Sequence, residues 1–436
     1  MRKQLLSIAA GLMGVTLTAQ AALPESVIQE SFFPYKNGGP DVAEIKPGMA
    51  INAGNVDQFV AYLDPATYMF IKRGDYEITV GETTSFDLHE SYVEATRQFA
   101  GQAKLGARTG EIDAPGAGRP FPQEPSLDDP RAGEKLAWNY KFGYNWGDSA
   151  AIKPFYWKMR DMESGKVERT FKMNFNFLNF ARRTAQDPHP EIQPNPSSLF
   201  RATYVQVLEP FDVKNTQLLV QKFQDDLKND NAYLYLGFQR RVRRLSSGQT
   251  TDAFLGTDIM IEDFEGYNGR ISDMKWTYKG TQWMLSPMYN HNDMPLAKEH
   301  QEDDGYQFVD FVGQGGCFPN ITWQLRKTHV LWSEPMDPNH PVGRREHYID
   351  AQTFIIPRNI TYDRNGAMWK TFTIGQSHPD HHLPINKGTG VAIDDSFSMV
   401  DIQANHCTTG QFKGIVDPKL SPASKFTVQQ LRAAGR

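Results

Sequence analysis

The sequence predicts a mainly β fold of the α+β type, in which one large antiparallel sheet is accompanied by a few helices. From residue 168 onward, many segments alternate apolar and polar residues, as strands with one buried face do. Asn365-Gly366 separates two such segments, and Asn-Gly between alternating runs is a strong hairpin signal. The composition also suits many strands joined by turns, because it includes 35 glycines, 27 prolines and 12% aromatic residues.

The individual elements follow from the spacing of apolar residues. Helical spacing predicts helices at residues 51–63, 87–101 and 134–142. Strands are expected at residues 168–177, 200–209, 233–244, 276–279, 281–285, 325–334, 344–356 and 367–374. Residues 212–228 are expected to form a helix or a paired turn between two of these strands.

We expect one domain covering residues 23–436. A chain of 436 residues often forms two or three domains, but large all-β folds can form a single unit. No low-complexity linker divides this chain. Because the alternating pattern weakens beyond about residue 376, a weakly structured C-terminal tail is expected there.

Residues 1–22 have the pattern of a secretory signal peptide. Arg2 and Lys3 precede an apolar run, and small residues follow it, so cleavage is expected near Ala21 or Ala22. No cysteine follows the run, so there is no lipobox, and we expect a protein exported to the periplasm. Loss of the two cations changes the net charge from −5 to −7, which is too mild to favour nucleic acid or an anionic membrane as the main partner.

Residues 233–244 stand out because arginines crowd the end of a predicted strand. Successive side chains of a strand point to opposite faces, so these arginines would lie on both faces. They could bind an anionic head group or an acidic partner, because guanidinium groups pair with phosphate and carboxylate. We favour an ion-pair ladder within the sheet, since opposite charges on neighbouring strands stabilise it. The arginines are Arg240, Arg241, Arg243 and Arg244, and the acids expected to pair with them are Asp258, Glu262, Asp263, Glu334, Glu346 and Asp350.

Several stretches together resemble a known family of exported proteins, the domain-of-unknown-function family thirteen-twenty-nine. They are LGFQRRVRR at 236–244, DFEGYNG at 263–269, WTYKG at 276–280, HVLW at 329–332, RREHYID at 344–350 and YDRNG at 362–366, with INAGN at 51–55, GRPFP at 118–122 and LAWN at 136–139 upstream. In this order and spacing the resemblance covers most of the chain after the signal peptide.

The resemblance implies a fold similar to LolA and the other lipoprotein carriers of the Lol system, but larger. The strongly curved antiparallel sheet would form an incomplete barrel around a few helices. The resemblance also implies that the protein works near outer-membrane proteins and transporters of the resistance-nodulation-division type. The family has no assigned catalytic residues, so it implies none here.

A sheet that does not close around its helices leaves room for a ligand cavity. Aromatic and aliphatic side chains on the predicted strands could line it and hold an acyl chain or a sterol-like ligand. An ordinary core is the alternative for each of them. The candidates are Phe171, Met173, Phe175, Phe177, Leu234, Leu236, Phe238, Trp276 and Tyr278.

Two further groups of residues have chemistry worth naming. Cys317 and Cys407 could form a disulfide in an oxidising compartment, or could remain two buried thiols. One histidine-rich cluster has side chains suited to zinc, but its prolines and spacing favour a solvated loop, so we expect no metal site. Its members are His378, Asp380, His381, His382 and His406.

These features favour a periplasmic carrier or chaperone that is not an enzyme and that needs no cofactor. It would shelter a hydrophobic ligand or the acyl chains of a lipoprotein during transport toward the outer membrane. An accessory subunit that docks on a transporter or an outer-membrane protein, without a small ligand, is the alternative. A metal-dependent hydrolase centred on the histidine cluster is a remote third, because the sequence contains no Gly-x-Ser-x-Gly, phosphate-loop or dinucleotide motif.

Overall fold

The structure is a computed structural model that describes residues 23–246 and 250–435, so the predicted signal peptide lies outside the described residues. The helices are α1 Glu25–Phe32, α2 Pro65–Arg73, α3 Glu90–Phe99, α4 Ala132–Lys141 and α5 Val428–Ala434. The first ten strands are β1 Ala50–Ile51, β2 Ile78–Val80, β3 Lys104–Leu105, β4 Ile112–Asp113, β5 Ser149–Asp161, β6 Val167–Asn179, β7 Leu199–Glu209, β8 Gln217–Phe223, β9 Asn231–Leu236 and β10 Arg241–Leu245. The remaining strands are β11 Met274–Ser286, β12 Met288–Tyr289, β13 Phe311–Val312, β14 Phe318–Pro319, β15 Thr322–Pro335, β16 Val342–Asp350, β17 Arg358–Asp363, β18 Met368–Ser377, β19 Ile393–Asp401 and β20 His406–Ile415.

One large sheet organises the molecule. Its long strands run in the order β11-β15-β16-β17-β18-β19-β20-β5-β6-β7-β8-β9-β10, and every neighbouring pair in this series is antiparallel. Two short strands, β2 and β12, add parallel pairs to β15 and β18. Among the described strands, β10 and β11 do not pair with each other, so the curved sheet stays open. The predicted mainly β class with a few helices is confirmed.

The sheet consists of two meanders that meet at its centre. β5 to β10 form one meander and β15 to β20 form the other, and β20 joins them by pairing with β5, where Phe412 lies opposite Phe155. The prediction of a weakly structured tail from about residue 376 is therefore wrong. The pattern weakens there because β19 and β20 are buried on both faces, which removes the alternation that marks a half-exposed strand.

Each face of the sheet has its own covering layer. The face that carries the largest apolar cluster, with Phe155, Phe175 and Phe397, is called the inner face; α1, α3 and residues 254–264 pack on it. α4 also lies against the sheet, and a Cβ at Gly133 would lie 2.8 Å from the Trp276 carbonyl oxygen, so this close approach requires glycine. On the opposite, outer face, α5 covers the β6–β9 region and α2 covers the region around β15.

Two local predictions are corrected by the backbone. Residues 51–63 do not form one helix: they contain part of β1 and a 3-10 helix, Val56–Tyr62. Asp64 ends this segment because its carboxylate caps α2, accepting from the backbone N–H groups of Ala66 at 3.1 Å and Thr67 at 2.9 Å. Residues 212–228 contain β8, whose buried Leu218 and Leu219 lie on opposite faces and therefore show no alternation.

The predicted single strand at residues 233–244 is a hairpin. β9 and β10 pair with Leu236 opposite Arg241, so residues 237–240 form the turn between them. Arg240 has φ of 51°, in the left-handed region. Gly237 is needed because a Cβ there would lie 2.5 Å from the Lys214 carbonyl oxygen. The turn reverses the chain, so the faces expected for a continuous strand do not apply.

Cys317 and Cys407 form a disulfide. Their Cα atoms lie 6.0 Å apart, and both side chains are fully buried in the outer-face cluster. Cys407 belongs to β20, whereas Cys317 lies just before β14, so the bond links the centre of the sheet to a loop that covers it.

Candidate functional site

The inner face contains an apolar cavity at the point where the two meanders meet. Its volume is about 40 Å³, which holds a few water molecules at most. β5, β6, β18, β19 and β20 all contribute side chains to its wall, and eleven of the thirteen lining residues are aromatic or aliphatic. The wall residues used below are Phe155, Trp157, Phe175, Phe177, Phe397 and Phe412.

Residues 253–266, called the plug, cover this cavity with two short 3-10 helices, Phe254–Gly256 and Ile261–Gly266, each interrupted by non-helical residues. Ile259 and Phe264 of the plug line the cavity directly. The Phe264 ring centre lies 5.6 Å from that of Phe175 and 6.2 Å from that of Trp157, which is the spacing of packed aromatic pairs. The space for a ligand is therefore occupied in part by the chain's own side chains.

Buried charges hold the plug against the sheet. The Arg345 guanidinium on β16 lies 2.8 Å from Glu262 and 3.1 Å from Asp263, and its side chain is fully buried. Burial alone would raise the pKa of Glu262, but Arg345 and His340 outweigh it and lower this pKa to about 2. Glu262 is thus held on Arg345 as an anion, and separating this buried pair would leave an uncompensated charge.

The plug ends in a strained turn at the edge of the cavity. Glu265 has φ of 59°, a left-handed conformation that costs a non-glycine residue roughly 1 kcal/mol or more. The turn is held by Tyr140, which donates to the Glu265 carbonyl at 2.8 Å, and by Asn359, which donates to the Gly266 carbonyl at 2.7 Å. This conformation directs the Glu265 side chain to the lining of the cavity.

One end of the apolar cavity is polar. Glu265 and Asp394 are its two acidic lining residues, and Gln376 donates a hydrogen bond to Asp394 at 2.7 Å. Burial, followed by the negative charge of Glu265, raises the pKa of Asp394 to about 7. Arg201 forms an ion pair with Glu265 at 3.1 Å. The cavity thus combines apolar walls with a carboxyl group that titrates near neutral pH.

Glu265 also lines a second, polar cavity on the side of α4. Arg201 and Lys222 line this cavity together with Asn145. The Nε atom of Arg201 and the Oδ1 atom of Asn145 are buried without a hydrogen-bond partner in the described residues. Buried polar groups normally have partners, so these atoms mark a place where a polar group of a ligand or a water molecule can bind.

We expect Asp394 to make the folded protein less stable as the pH rises. In the unfolded chain an aspartate ionises at about pH 4, whereas folded Asp394 keeps its proton up to about pH 7. Folding takes up a proton between these values, so this group lowers the free energy of unfolding as the pH rises through that window. Asp394→Asn removes the effect and should raise the midpoint of thermal unfolding more at about pH 8 than at about pH 5. Equal shifts at both pH values, or the same shifts in the exposed control Asp303→Asn, would count against this role.

The predicted cavity residues do not all lie at the apolar cavity. Phe175 and Phe177 line the apolar cavity. Phe171 and Met173 are buried in the inner-face cluster beside it, and Leu234 packs against that cluster. The other four lie elsewhere: Leu236 ends β9, Phe238 is exposed in the hairpin turn, Trp276 lines the polar cavity, and Trp276 and Tyr278 line a surface groove beside α4.

Sequence reasoning missed much of the wall and the whole plug. Phe155 and Trp157 lie on β5, which is buried on both faces over most of its length and shows no alternation. Phe397 and Phe412 belong to the segment interpreted as a tail. Phe264 belongs to the DFEGYNG stretch, which carries the family resemblance but has no periodic pattern that would place its side chain in a cavity. The crowding of phenylalanines around β5 was the available signal.

The predicted ladder of arginines and acids is wrong. In the part of the chain that the structure describes, none of the four arginines forms an ion pair, and all four are exposed in or beside the hairpin turn. The expected acids instead have partners on other elements. Asp258 pairs with His406, Glu262 and Asp263 with Arg345, Glu334 with Lys275, Glu346 with Arg344, and Asp350 with Arg326.

The predicted histidine cluster does not converge on one point. His406 lies at the plug, where it contacts the Asp258 carboxylate at 2.8 Å, and this hydrogen bond raises its pKa. His378 donates to the Ser85 carbonyl at 3.1 Å, whereas Asp380 and His381 are exposed. Only His382 joins a buried group of ligand-type side chains.

That buried group is His291, His382 and Asp395, whose ligand atoms lie within 4.8 Å of one another. The Asp395 carboxylate contacts His291 at 2.7 Å, His382 at 3.3 Å and the hydroxyl groups of Tyr289 and Tyr306 at 3.1 and 3.0 Å. Burial disfavours the charge, yet His291 outweighs it and holds the pKa of Asp395 well below its usual range. The carboxylate is fully satisfied by these contacts, so the group forms a hydrogen-bonded anchor between loops and β19.

Comparison with known proteins decides the family. The family model described as "Protein of unknown function (DUF1329)" matches residues 50–432. The chain belongs to the DUF1329 family. The resemblance inferred from the sequence motifs is thereby confirmed. The match includes the plug, Arg345 and all the strands of the large sheet.

Proteins similar to this chain come from several bacteria. An uncharacterized protein of Pseudomonas aeruginosa is 24% identical over an alignment of 353 residues that covers 78% of this chain and 71% of that protein. A domain named for outer membrane lipoprotein sorting, from Vibrio parahaemolyticus, aligns in structure with 16% identity and a TM-score of 0.47, covering 70% of this chain and 100% of that one. A DUF1329 protein from Desulfovibrio piger gives 15% identity and a TM-score of 0.47, covering 70% and 99%. A LolA superfamily protein from Nitrosomonas europaea gives 10% identity and a TM-score of 0.36, covering 65% and 91%.

Proposed function

We propose that this DUF1329 protein is a periplasmic carrier that shelters a hydrophobic ligand, or the acyl chains of a lipoprotein, on the inner face of its sheet. The observation that supports the proposal is the apolar cavity at the junction of the two meanders, covered by the plug, whose two short 3-10 helices are interrupted by non-helical residues. Aromatic walls with a few polar groups at one end are typical of small-molecule sites.

Side chains of the plug occupy space that a bound ligand would need. Because Phe264 packs against Phe175 and Trp157, an acyl chain gains room only when the plug moves away from the wall. Each methylene group transferred from water into such a cavity contributes roughly 0.8 kcal/mol, so a long chain can outweigh the contacts that the plug gives up. Release follows when an acceptor offers the chain a better apolar environment.

The polar end orients the ligand. Asp394 titrates near neutral pH, and Arg201 lies beside Glu265 between the apolar cavity and the polar one. A ligand with an apolar chain and a polar head would place the chain against the phenylalanines and the head near Arg201. The unpartnered Nε atom of Arg201 gives such a head a hydrogen-bond donor.

Native mass spectrometry of protein purified gently from the periplasm tests the proposal. A co-purified lipid or lipoprotein that dissociates at higher collision energy is the expected result. A protein partner without lipid would instead favour an accessory subunit of a transporter or outer-membrane protein. Stoichiometric zinc would favour the hydrolase, and both of these results would contradict the carrier.

Truncating the plug should increase ligand uptake. In Phe264→Ala the ring that occupies the cavity is removed, so we expect a fluorescent fatty acid to bind roughly tenfold more tightly. Loss of a buried phenylalanine lowers the free energy of unfolding by roughly 3 to 5 kcal/mol, so the control variant must lose a similar amount of stability. Phe223→Ala, which truncates a buried ring in the outer-face cluster, is the control. If both variants bind the probe equally, the gain comes from general loosening and the plug has no special role.

A further inference from the structure

The rim of the sheet beside β10 carries two protruding aromatic side chains. Phe211 is 92% exposed and Phe238 is 73% exposed, and these are the most exposed of the large hydrophobic residues in the described chain. Phe211 lies in the connection from β7 to β8, and Phe238 lies in the turn from β9 to β10. Exposing a phenylalanine to water is unfavourable, so two at one rim call for an explanation.

The two loops lie against each other. β8 pairs with β9, which places Gln217 opposite Tyr235 and brings the two connections to the same end of the sheet. Gly237 in the hairpin turn approaches the Lys214 carbonyl so closely that no Cβ fits between them. The Phe211 loop and the Phe238 turn therefore form one projecting edge, called the Phe–Arg rim.

Four exposed arginines flank these rings. Arg240 lies in the turn, and Arg241, Arg243 and Arg244 follow on β10, which has no strand partner on its outer edge among the described residues. Arg243 contacts the Gln239 amide at 2.8 Å and Arg244 the Asn231 amide at 2.5 Å, so their charges face neutral groups.

Two acidic residues, Glu209 and Asp212, lie close to Phe211, and each has a basic residue nearby. Asp212 beside Phe211 is paired with Arg169 on β6. Glu209 is exposed at the end of β7, and the exposed Lys214 follows on the same loop. The rim is therefore locally cationic although the whole chain carries a net charge of −5.

We propose that the Phe–Arg rim docks the protein on an anionic phospholipid membrane. The rings would enter the boundary between head groups and acyl chains, and the arginines would pair with lipid phosphates. Because the net charge of the whole protein is negative, only this edge would face the membrane. The mild net charge of the whole chain does not reveal this local cationic surface, because it averages over all the residues.

The shape of the rim favours a bilayer over an acidic protein. A stable protein interface buries roughly 1,200 Å² or more and has a packed apolar centre. Here the apolar side chains are two loop tips separated by charged and polar neighbours, including Asp212 and Gln239. Projecting aromatic residues beside cations suit insertion into a head-group layer. The inference does not depend on ligand binding in the inner cavity, which the vesicle experiment does not measure.

Sedimentation with vesicles tests this docking. The full protein is mixed with vesicles of phosphatidylcholine alone, or with about one third phosphatidylglycerol, at low salt and at about 0.3 M salt. We expect binding to the anionic vesicles that weakens with salt. Arg241→Gln/Arg243→Gln should reduce the partition coefficient about thirtyfold, since each arginine near the surface contributes about fivefold. Phe211→Ala/Phe238→Ala should reduce it about tenfold.

The control is Leu127→Ala/Arg108→Gln, which removes an exposed leucine and an exposed arginine from the segment before α4. This variant should bind as the unchanged protein does, and circular dichroism should show that all the variants are folded. Equal sedimentation with neutral and anionic vesicles, or loss of binding in the control as well, would overturn the proposal. Specific capture of an acidic protein through the arginines, without vesicle binding, would also overturn it.

Discussion

Arg345→Met is expected to lower the free energy of unfolding by about 3 to 5 kcal/mol and to release the plug from the sheet. Arg345 is fully buried and lies within 3.1 Å of both Glu262 and Asp263. Without it, two carboxylates would be buried close together without a cation. The charge of Arg345 lowers the pKa of Glu262 in the folded state and so favours the carboxylate anion beside it. Urea unfolding gives the change in free energy, and uptake of a fluorescent fatty acid reports the release of the plug.

Arg326→Met is a closely matched control for this prediction. Arg326 is also fully buried and contacts Asp350 at 2.8 Å, but neither residue belongs to the plug. Both variants should lose comparable stability, and only Arg345→Met should gain ligand uptake. The combined variant Glu262→Gln/Asp263→Asn/Arg345→Met should recover part of the lost stability, because no unpaired charge remains. A stability loss below about 1 kcal/mol in Arg345→Met would refute the tether.

Removing the disulfide should have an effect of similar size. The bond between Cys317 and Cys407 closes a loop across a sequence separation of 90 residues. In the chain-entropy description, such a loop stabilises the folded state by roughly 4 to 5 kcal/mol, because it restricts the unfolded chain. Cys317→Ser/Cys407→Ser is therefore expected to unfold at a much lower urea concentration.

Reductant provides the control for the disulfide variant. The unchanged protein, unfolded with a reducing agent present, should show the same urea midpoint as Cys317→Ser/Cys407→Ser, and the variant should not respond to the reductant. The link also joins the loop before β14 to β20, the strand that connects the two meanders. If the midpoint of the unchanged protein does not depend on reductant, the bond contributes little to stability.

The elements that the sequence predicted well are those with one polar face. β6 was predicted because Lys172 and Asn174 alternate with Phe171 and Met173, and only the latter pair is fully buried. β5 and β20 were not predicted because the side chains on both faces of these strands are mostly buried. Such strands do not alternate between apolar and polar residues. The hairpin at residues 233–244 was missed because its turn contains a phenylalanine and an arginine, so it lacks the usual Asn-Gly or Asp-Gly signal.

The candidate site also contains residues that the local sequence pattern predicts and residues that it does not. Phe175 and Phe177 could be proposed as wall residues from their strand alone. Phe264 could not, because the plug has no periodic pattern and its position depends on Arg345, which lies about eighty residues further along the chain. No sequence pattern marks Asp394, since its raised pKa comes from burial and from Glu265 in the folded protein.

By itself the sequence determined the fold class, the family and the presence of an unusual arginine segment, because these depend on local order along the chain. Only the tertiary structure decided what the arginines and the phenylalanines do. Pairing between β20 and β5 joins strands about 250 residues apart, and nothing local in either strand specifies that partner. This pairing gathers the cavity wall. Other tertiary contacts pair Glu262 and Asp263 with Arg345, and Asp350 with Arg326, and the four arginines of the hairpin stay exposed.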